Sequence, residues 1–195
     1  MRALRASAIA VVVATAVLGL GYPALMTGVG RLAFAHKANG SLLHRNGRIV
    51  GSSLAAQQFT WPRYFHERPS ATSPVYNAAG TTFSNVGPTN PVLATLVRQN
   101  AQAILKLETP YDPGLTIHDI PVDAVVPSGS GIDPDISPAY AQLQARRVAA
   151  IRKLPLATVQ KLIKQTTDER ALSFFGEPGV NVLELNLALD KQGGK

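Results

Sequence analysis

Residues 6–30 read ASAIAVVVATAVLGLGYPALMTGVG, 25 positions without a charged side chain, with Arg2 and Arg5 before them and Arg31 after. A helix needs about 20 mostly apolar residues to cross the hydrocarbon core of a bilayer, so this stretch predicts a membrane span and constrains everything that follows. No second run of this length and apolarity occurs in the 195 residues. We therefore expect residues 1–5 to form a short basic N-terminus, 6–35 a transmembrane anchor, and 36–195 one domain of a size that a single core commonly serves. Whatever the domain does, it does beside a membrane, with lipid as one partner.

A cleaved secretory signal is the competing reading, because Ala33-Phe34-Ala35 fits a small-residue cleavage site. The apolar run exceeds the roughly 7–15 residues of such signals, and Pro23 sits inside it. A retained anchor is the better fit. Gly19, Gly21, Gly28 and Gly30 would let a neighbouring helix approach closely in lipid, so these four are the candidates for membrane-helix packing.

Charge is distributed unevenly. Seven basic residues (Arg2, Arg5, Arg31, Lys37, Arg45, Arg48 and Arg63) precede the first acid, Glu67, and account for the whole formal excess of +7. Juxtamembrane Lys and Arg gain about 1 kcal/mol each near anionic lipid, which explains the basic balance without nucleic acid. No basic patch interleaved with aromatics is present. Because Lys and Arg flank both ends of the span, the positive-inside rule is nearly silent. The short basic N-terminus suits an anchor with its start in the cytoplasm, so the domain is expected outside. Cysteine is absent, which removes disulfides, thiolate nucleophiles and Cys-based metal sites.

Along the domain, Asn46-Gly47 between apolar flanks predicts a type I′ hairpin over residues 42–50. Residues 60–91 are rich in Pro, Ser, Thr, Asn and Gly, with Trp61, Tyr64, Phe65, Tyr76 and Phe83 among them. A long loop in a compact domain is commonly functional, and the aromatics suggest an ordered one. Asn90-Pro91 opens a helix with an N-cap and a proline at the first turn, and Leu93, Leu96, Val97, Ile104 and Leu107 give it an apolar face. Residues 120–126 are expected to be a short strand. Ser128-Gly129-Ser130-Gly131 makes a tight turn. Ser137-Pro138 starts a second helix running to about Lys153, and Pro155 a third. Residues 180–190 alternate in Leu as a strand would, but Asn181 as a cap favours helix. The expected fold class is thus an α+β soluble domain, a small sheet with packed helices, on a single N-terminal transmembrane helix.

Candidate chemistry is sparse. Ser130 lacks the nucleophile elbow of a hydrolase, and its turn lacks the Lys-Ser/Thr ending of a phosphate-binding loop. Asp133 and Asp135 flank a proline and are expected to favour a helix N-terminus. His66-Glu67 lacks the second histidine of a zinc protease motif. Gln57 and Gln58 precede Phe59 and Trp61; such an amide pair beside aromatics can contact a nucleotide base, with Gln57 the candidate, although ordinary packing is the commoner role. Tyr64, Phe65, Arg68 and Tyr76 suit partner contact, where aromatics and Arg are enriched; the equal alternative is that the aromatics fill the domain's own small core. We find no catalytic set and no metal site, and expect a domain that binds rather than reacts.

Several loop residues, taken in order, carry a resemblance. Tyr22-Pro23 with Thr27-Gly28, Ala38-Asn39-Gly40-Ser41-Leu42, Tyr64-Phe65, Arg68-Pro69-Ser70-Ala71 and Tyr76-Asn77-Ala78-Ala79 come first. Asn90-Pro91, Ser128 to Gly131 with Asp133-Pro134, Ile136-Ser137-Pro138, Arg146-Arg147-Val148, Gly176-Glu177-Pro178 and Val180 to Asp190 follow. Over nearly the whole chain the sequence resembles the KdpC family, the accessory component of the bacterial Kdp potassium-transporting ATPase. Ala35, Ala55-Ala56, Trp61 and the segment from Gly80 to Phe83 depart from the family's usual residues.

The resemblance implies an accessory subunit of a pump in the bacterial inner membrane, partnered by an ATP-hydrolysing and a potassium-channel subunit. ATP, Mg and K+ would then act at the level of the complex, with no cofactor on this chain. It further implies a role in assembly and as a catalytic chaperone that raises the ATP affinity of the hydrolysing subunit. A domain outside the membrane cannot touch a cytoplasmic nucleotide, so such coupling would have to pass through the anchor. The alternatives are an extracytoplasmic enzyme using Ser130 and an anchored or released binding domain unrelated to transport.

Overall fold

A computed structural model describes residues 1–193 of the chain, which divides into two compact units, residues 1–50 and 51–195. The first unit begins with one continuous helical run, residues 2–33, built from α1 (Arg2–Ala14), a π-helical stretch (Thr15–Gly21) and α2 (Tyr22–Ala33). Its most apolar window has a mean hydropathy of 2.1, and none of that window is buried. At 1.5 Å per residue it is roughly 48 Å long, longer than a hydrocarbon core of about 30 Å. The π turn has a local cause: Pro23 has no N–H to return to the preceding turn, and a widened turn re-registers the ladder. The run breaks at Phe34 (φ −134°, ψ 42°), and one further turn, α3 (Ala35–Ala38), follows.

Strands β1 (Leu42–Arg45) and β2 (Arg48–Ser52) pair as the expected hairpin. Asn46 (φ 51°) and Gly47 (φ 76°) both take the left-handed conformation that a type I′ turn demands.

In the second unit, α4 (Pro91–Glu108) starts at Asn90, whose side chain accepts from the N–H of Val92. A single 3-10 turn (Ile117–Asp119) and the one-turn helix α5 (Val122–Val125) come next. The strand expected over 120–126 is therefore a helical turn. Pro121 supplies an extended residue just before it, and Asn100 on α4 donates to the carbonyl of Val125 at 2.9 Å, so tertiary contact overrides the β-branched composition. Strand β3 (Asp135–Ile136) leads into α6 (Pro138–Arg152), capped by Ser137, whose hydroxyl accepts from the N–H of Tyr140. Helix α7 (Leu156–Gln165), β4 (Thr167–Asp168), β5 (Gly179–Asn181) and α8 (Val182–Lys191) complete the elements among the described residues. The ambiguous C-terminal segment resolves into three strand residues and a helix that Asn181 caps through the N–H of Glu184.

The second sheet is antiparallel with order β3-β5-β4; Ile136 and Thr167 both oppose Val180. Helix α6 packs on α7 and α4, and α7 on α8. The core runs through Phe65, Ile104, Val148, Val159, Ile163, Val180, Leu185 and Leu189. Helix α6 is buried except for one strip, Ala139, Gln142, Arg146 and Ala150. Ala141, Ala145 and Ala149 let its neighbours approach, and Gln144, Arg147 and Arg152 are buried with them.

Candidate functional site

Residues 60–90 contain no helix or strand, yet the segment is held in place by side chains of α6 and α8. A backbone that leaves regular structure must find other hydrogen-bond partners. Gln144 supplies a reciprocal pair to His66, accepting from its N–H at 2.8 Å and donating to its carbonyl at 3.0 Å. Asn186 does the same for Phe65, at 2.9 and 3.0 Å. Arg147, fully buried, donates to Glu108 (2.8 Å), to the carbonyl of Tyr64 (2.9 Å), to Gln144 (2.9 Å) and to the carbonyl of Pro62. Arg152 donates to the carbonyl of Arg63 (2.7 Å) and to Asp190 (2.8 Å), and its guanidinium lies 4.7 Å from the centre of the Tyr64 ring.

The second half of the loop is tied to the glycine-serine turn. Ser70 donates to the carbonyl of Gly131 at 2.6 Å, and the N–H of Thr82 donates to the carbonyl of Ser130 at 3.2 Å. The turn also consumes its own donors: Ser128 accepts from the N–H of Gly131 and Ser130 from that of Ile132. Gly131 has φ 71°, and a Cβ there would lie 2.7 Å from both Thr72 Cγ2 and the carbonyl oxygen of Thr82. Both glycine and this conformation are required for the close approach. The hydroxyl of Ser130 faces Ser128 at 3.4 Å.

These contacts place the residues that sequence reasoning nominates. Phe65 is fully buried in the core, which removes it from the partner-contact group: its ring belongs to the hydrophobic cluster while Asn186 of α8 holds its backbone. Tyr64 is half-buried and donates to Asp190 at 3.2 Å. Tyr76 is half-buried as well and donates to the carbonyl of Arg68 at 3.1 Å, with burial raising its pKa to about 12. Arg68 forms an ion pair with Asp133 at 3.0 Å and donates to the carbonyl of Val126. The structure thus gathers Arg68 and Tyr76 at one end of the loop and Tyr64 at the other. Gln57 lies with its side-chain amide against Gly51, where a Cβ would collide with it, and its N–H points to Glu67 at 3.4 Å.

Asp133 and Asp135 do not sit in a helical turn. Asp133 answers Arg68, and Asp135 opens β3, where it accepts from Asn181 at 3.1 Å. The carboxylate that serves the start of α6 is Asp123, which accepts from the N–H and hydroxyl of Ser137. Arg68, Asp123, Asp133, Asp135, Ser137 and Glu177 line an open groove of about 500 Å³. Burial holds the Asp135 carboxyl above its usual range. The charges of Asp133, Asp168 and Glu184 push the same way, against the Asn181 hydrogen bond.

Two titratable groups of the loop itself, half-buried His66 and buried Glu67, are shifted. Burial first, then the Arg147 charge, lowers the pKa of His66 to about 4, so it is neutral at pH 7. Burial raises Glu67 to about 8, only partly offset by backbone N–H groups including those of Gln57 and Phe59. Its Oε2 has no hydrogen-bond partner among the described residues.

In the first unit the four glycines do not form one face. Gly28 and Gly30 are two residues apart on regular helix, roughly 200° around the axis. A Cβ at either would meet nothing within 4 Å.

Sequence reasoning missed Gln144, Arg147, Arg152 and Asn186 as the residues that shape the loop. The available signal was the helical spacing of α6: Gln144 and Arg147 fall on the faces that carry Tyr140, Ala141, Ala145 and Val148, away from the exposed strip of Gln142, Arg146 and Ala150.

The family model for the K+-transporting ATPase c chain matches residues 4–191. A potassium-transporting ATPase KdpC subunit from Methylococcus capsulatus is 50% identical over 177 residues, covering 90% of each chain. One from Paraburkholderia phytofirmans is 51% identical over 180 residues, covering 92% of this chain and 91% of its own. One from Burkholderia mallei is 49% identical over the same length and shares.

Proposed function

This chain belongs to the family of the K+-transporting ATPase c chain, and we propose that it is a non-catalytic subunit that holds such a complex together. The observation that carries the proposal is the pairing of an apolar helical run, residues 2–33, with a domain whose longest irregular segment is fixed by buried side chains. A preformed, rigid loop surface loses little freedom on binding a partner, which suits a permanent subunit. The partners we propose are the ATP-hydrolysing and potassium-channel subunits, in the bacterial inner membrane, with lipid around the anchor.

ATP, Mg and K+ belong in this reading to the partners. The Ser130 hydroxyl and the N–H groups of Gly131 and Ile132 are engaged in bonds that shape the loop, and Gln57 packs on Gly51. We propose that any effect on ATP affinity, the catalytic-chaperone role, is transmitted through contacts with the hydrolysing subunit, and that the domain lies outside the cytoplasm.

Affinity purification from gently solubilised membranes tests membership: the other transporter subunits should copurify with the full chain, and their absence would sink the proposal. Sidedness is read with Gly114→Cys, an exposed position with open space around it, in a chain that has no cysteine. A membrane-impermeant maleimide should label it in intact spheroplasts. Labelling only after lysis would place the domain in the cytoplasm.

A further inference from the structure

Between β4 and β5 the chain leaves the body of the domain. Residues 168–177 are all exposed, ten in succession. The N–H of Ala171 donates to the carbonyl of Phe175 at 2.9 Å, closing a hairpin. At its tip Leu172, Phe174 and Phe175 are 77%, 65% and 58% exposed, and the two phenylalanine rings lie 4.2 Å apart. Leu172 (φ 53°) and Ser173 (φ 68°) both take left-handed backbone, which costs a non-glycine residue about 1 kcal/mol or more. Strained backbone is concentrated where function over-determines it. A contiguous exposed apolar patch on a polar neck marks an interaction site.

The surroundings state what the partner looks like. Glu177 holds Arg170 at 2.6 Å, and Asp168 and Glu169 add two more carboxylates at the base. The negative face continues into the body, where Asp135 feels the charges of Asp133, Asp168 and Glu184. Anionic lipid attracts Lys and Arg, and this collar would be repelled by it. A protein surface with basic residues around an apolar pocket complements both the tip and its base, and such complementarity fixes partner choice.

We propose that the 171–176 tip is a plug by which this domain docks into an apolar pocket rimmed by Lys or Arg on another protein subunit of the same complex. The proposal rests on the reading of this chain as a transport-complex subunit. Phe174 and Phe175 are the anchors, since aromatics seated in pockets dominate such interfaces. Asp168 and Glu169 set the orientation.

The test uses the full chain coexpressed with its complex in native membranes. Benzoylphenylalanine in place of Phe174 should, on irradiation, give an adduct with a protein subunit of the complex, mapped to a segment carrying Lys or Arg. The pair Phe174→Ser with Phe175→Ser should lower recovery of the other subunits by roughly tenfold or more. Asp168→Lys with Glu169→Lys should lower recovery and lose the adduct, guarding against misfolding of the serine variant. Adducts to lipid alone, or undiminished recovery in both double variants, would overturn the plug while the unaltered chain still brings down its partners. If the unaltered chain recovers no transport subunit, the functional reading has failed and the plug falls with it.

Discussion

The 60–91 segment and the 168–177 hairpin are both largely irregular and both carry aromatic rings, but the first hides its backbone and the second displays its side chains. In the loop, Pro62, Arg63, Tyr64, Phe65 and His66 each give a backbone group to Arg147, Arg152, Asn186 or Gln144. In the hairpin the bonds are its own, from Ala171 to Phe175 and from Arg170 to Glu177. The difference teaches that aromatic content does not tell a core loop from a contact loop. What separates them is whether buried polar side chains elsewhere in the fold reach out for the loop's backbone. Phe65 and Phe174 look alike in sequence, yet one fills the core and the other stands 65% exposed.

The sharpest way to break the comparison is Arg147→Ala. It removes the anchor of Pro62 and Tyr64 and leaves Glu108, 3% exposed in its side chain, as an unpaired buried acid. Breaking a buried pair from one side costs about 3–5 kcal/mol. Urea unfolding of the full chain in detergent should show a loss of that size. Phe65→Ala should cost a similar amount, about 3–5 kcal/mol, whereas Phe174→Ser should stay within about 0.5 kcal/mol. Equal effects at the two phenylalanines would erase the distinction between the segments.

The loop should also carry a pH signature that the hairpin lacks. Glu67 has a folded pKa of about 8 against an ordinary 4.5. The folded state therefore keeps a proton that the unfolded state releases, and stability falls as pH rises between those values. His66 works in the opposite sense: with a folded value of about 4 against 6.5, stability is lost as pH falls through that window. Glu67→Gln should remove the alkaline loss alone. Its advantage over the unaltered chain should grow by about 2–4 kcal/mol between pH 5 and pH 8. Unfolding curves with parallel pH dependence in the two proteins would show that Glu67 ionises without cost.

Gly131→Ala comes next. The new Cβ would press on Thr72 and the backbone of Thr82 at a φ that alanine resists. A cost of about 1–3 kcal/mol is expected, accompanied by faster hydrogen exchange at Thr82, whose N–H the turn holds. Slow exchange at Thr82 in that variant would mean that the loop is fixed without the turn.

The parts of this fold that are legible in the sequence are those set by local chemistry. Asn46-Gly47, Asn90-Pro91, Ser137-Pro138 and Asn181 each announce a turn or a cap, and each does what its side chain and backbone dictate. The 120–126 segment is not legible, because its helical turn is settled by Asn100, 25 residues before Val125 in sequence. The clamps are not legible either. A Gln and two Arg on a helix ordinarily face water, and only the assembled fold puts Gln144, Arg147 and Arg152 in the core. Asp133 and Asp135 resemble helix partners because proline and Ser-Pro follow them; the distant Arg68 and Asn181 claim them instead. For the same reason the nominated contact residues split. Tyr64, Arg68 and Tyr76 keep some exposed surface, and Phe65 keeps none.

The smallest effect separates the two segments most finely, because it compares like with like. Arg147–Glu108 and Arg170–Glu177 are both Arg–Glu pairs, at 2.8 and 2.6 Å. By distance alone the hairpin pair would be the stronger. Its side chains, however, are 44% and 81% exposed, while those of the loop pair are 0% and 3% exposed. Water and salt screen an exposed pair, and ordering two long side chains offsets much of what remains, so such pairs are worth about 0–1 kcal/mol. A double-mutant cycle on Arg170→Ala and Glu177→Ala should therefore give a coupling below about 1 kcal/mol that fades further in high salt. The same cycle on Arg147 and Glu108 should give a larger coupling that is much less sensitive to salt. A hairpin coupling as large and as salt-resistant as the buried one would mean that the neck of the hairpin is shielded from water rather than presented to it, and the plug would lose its physical basis.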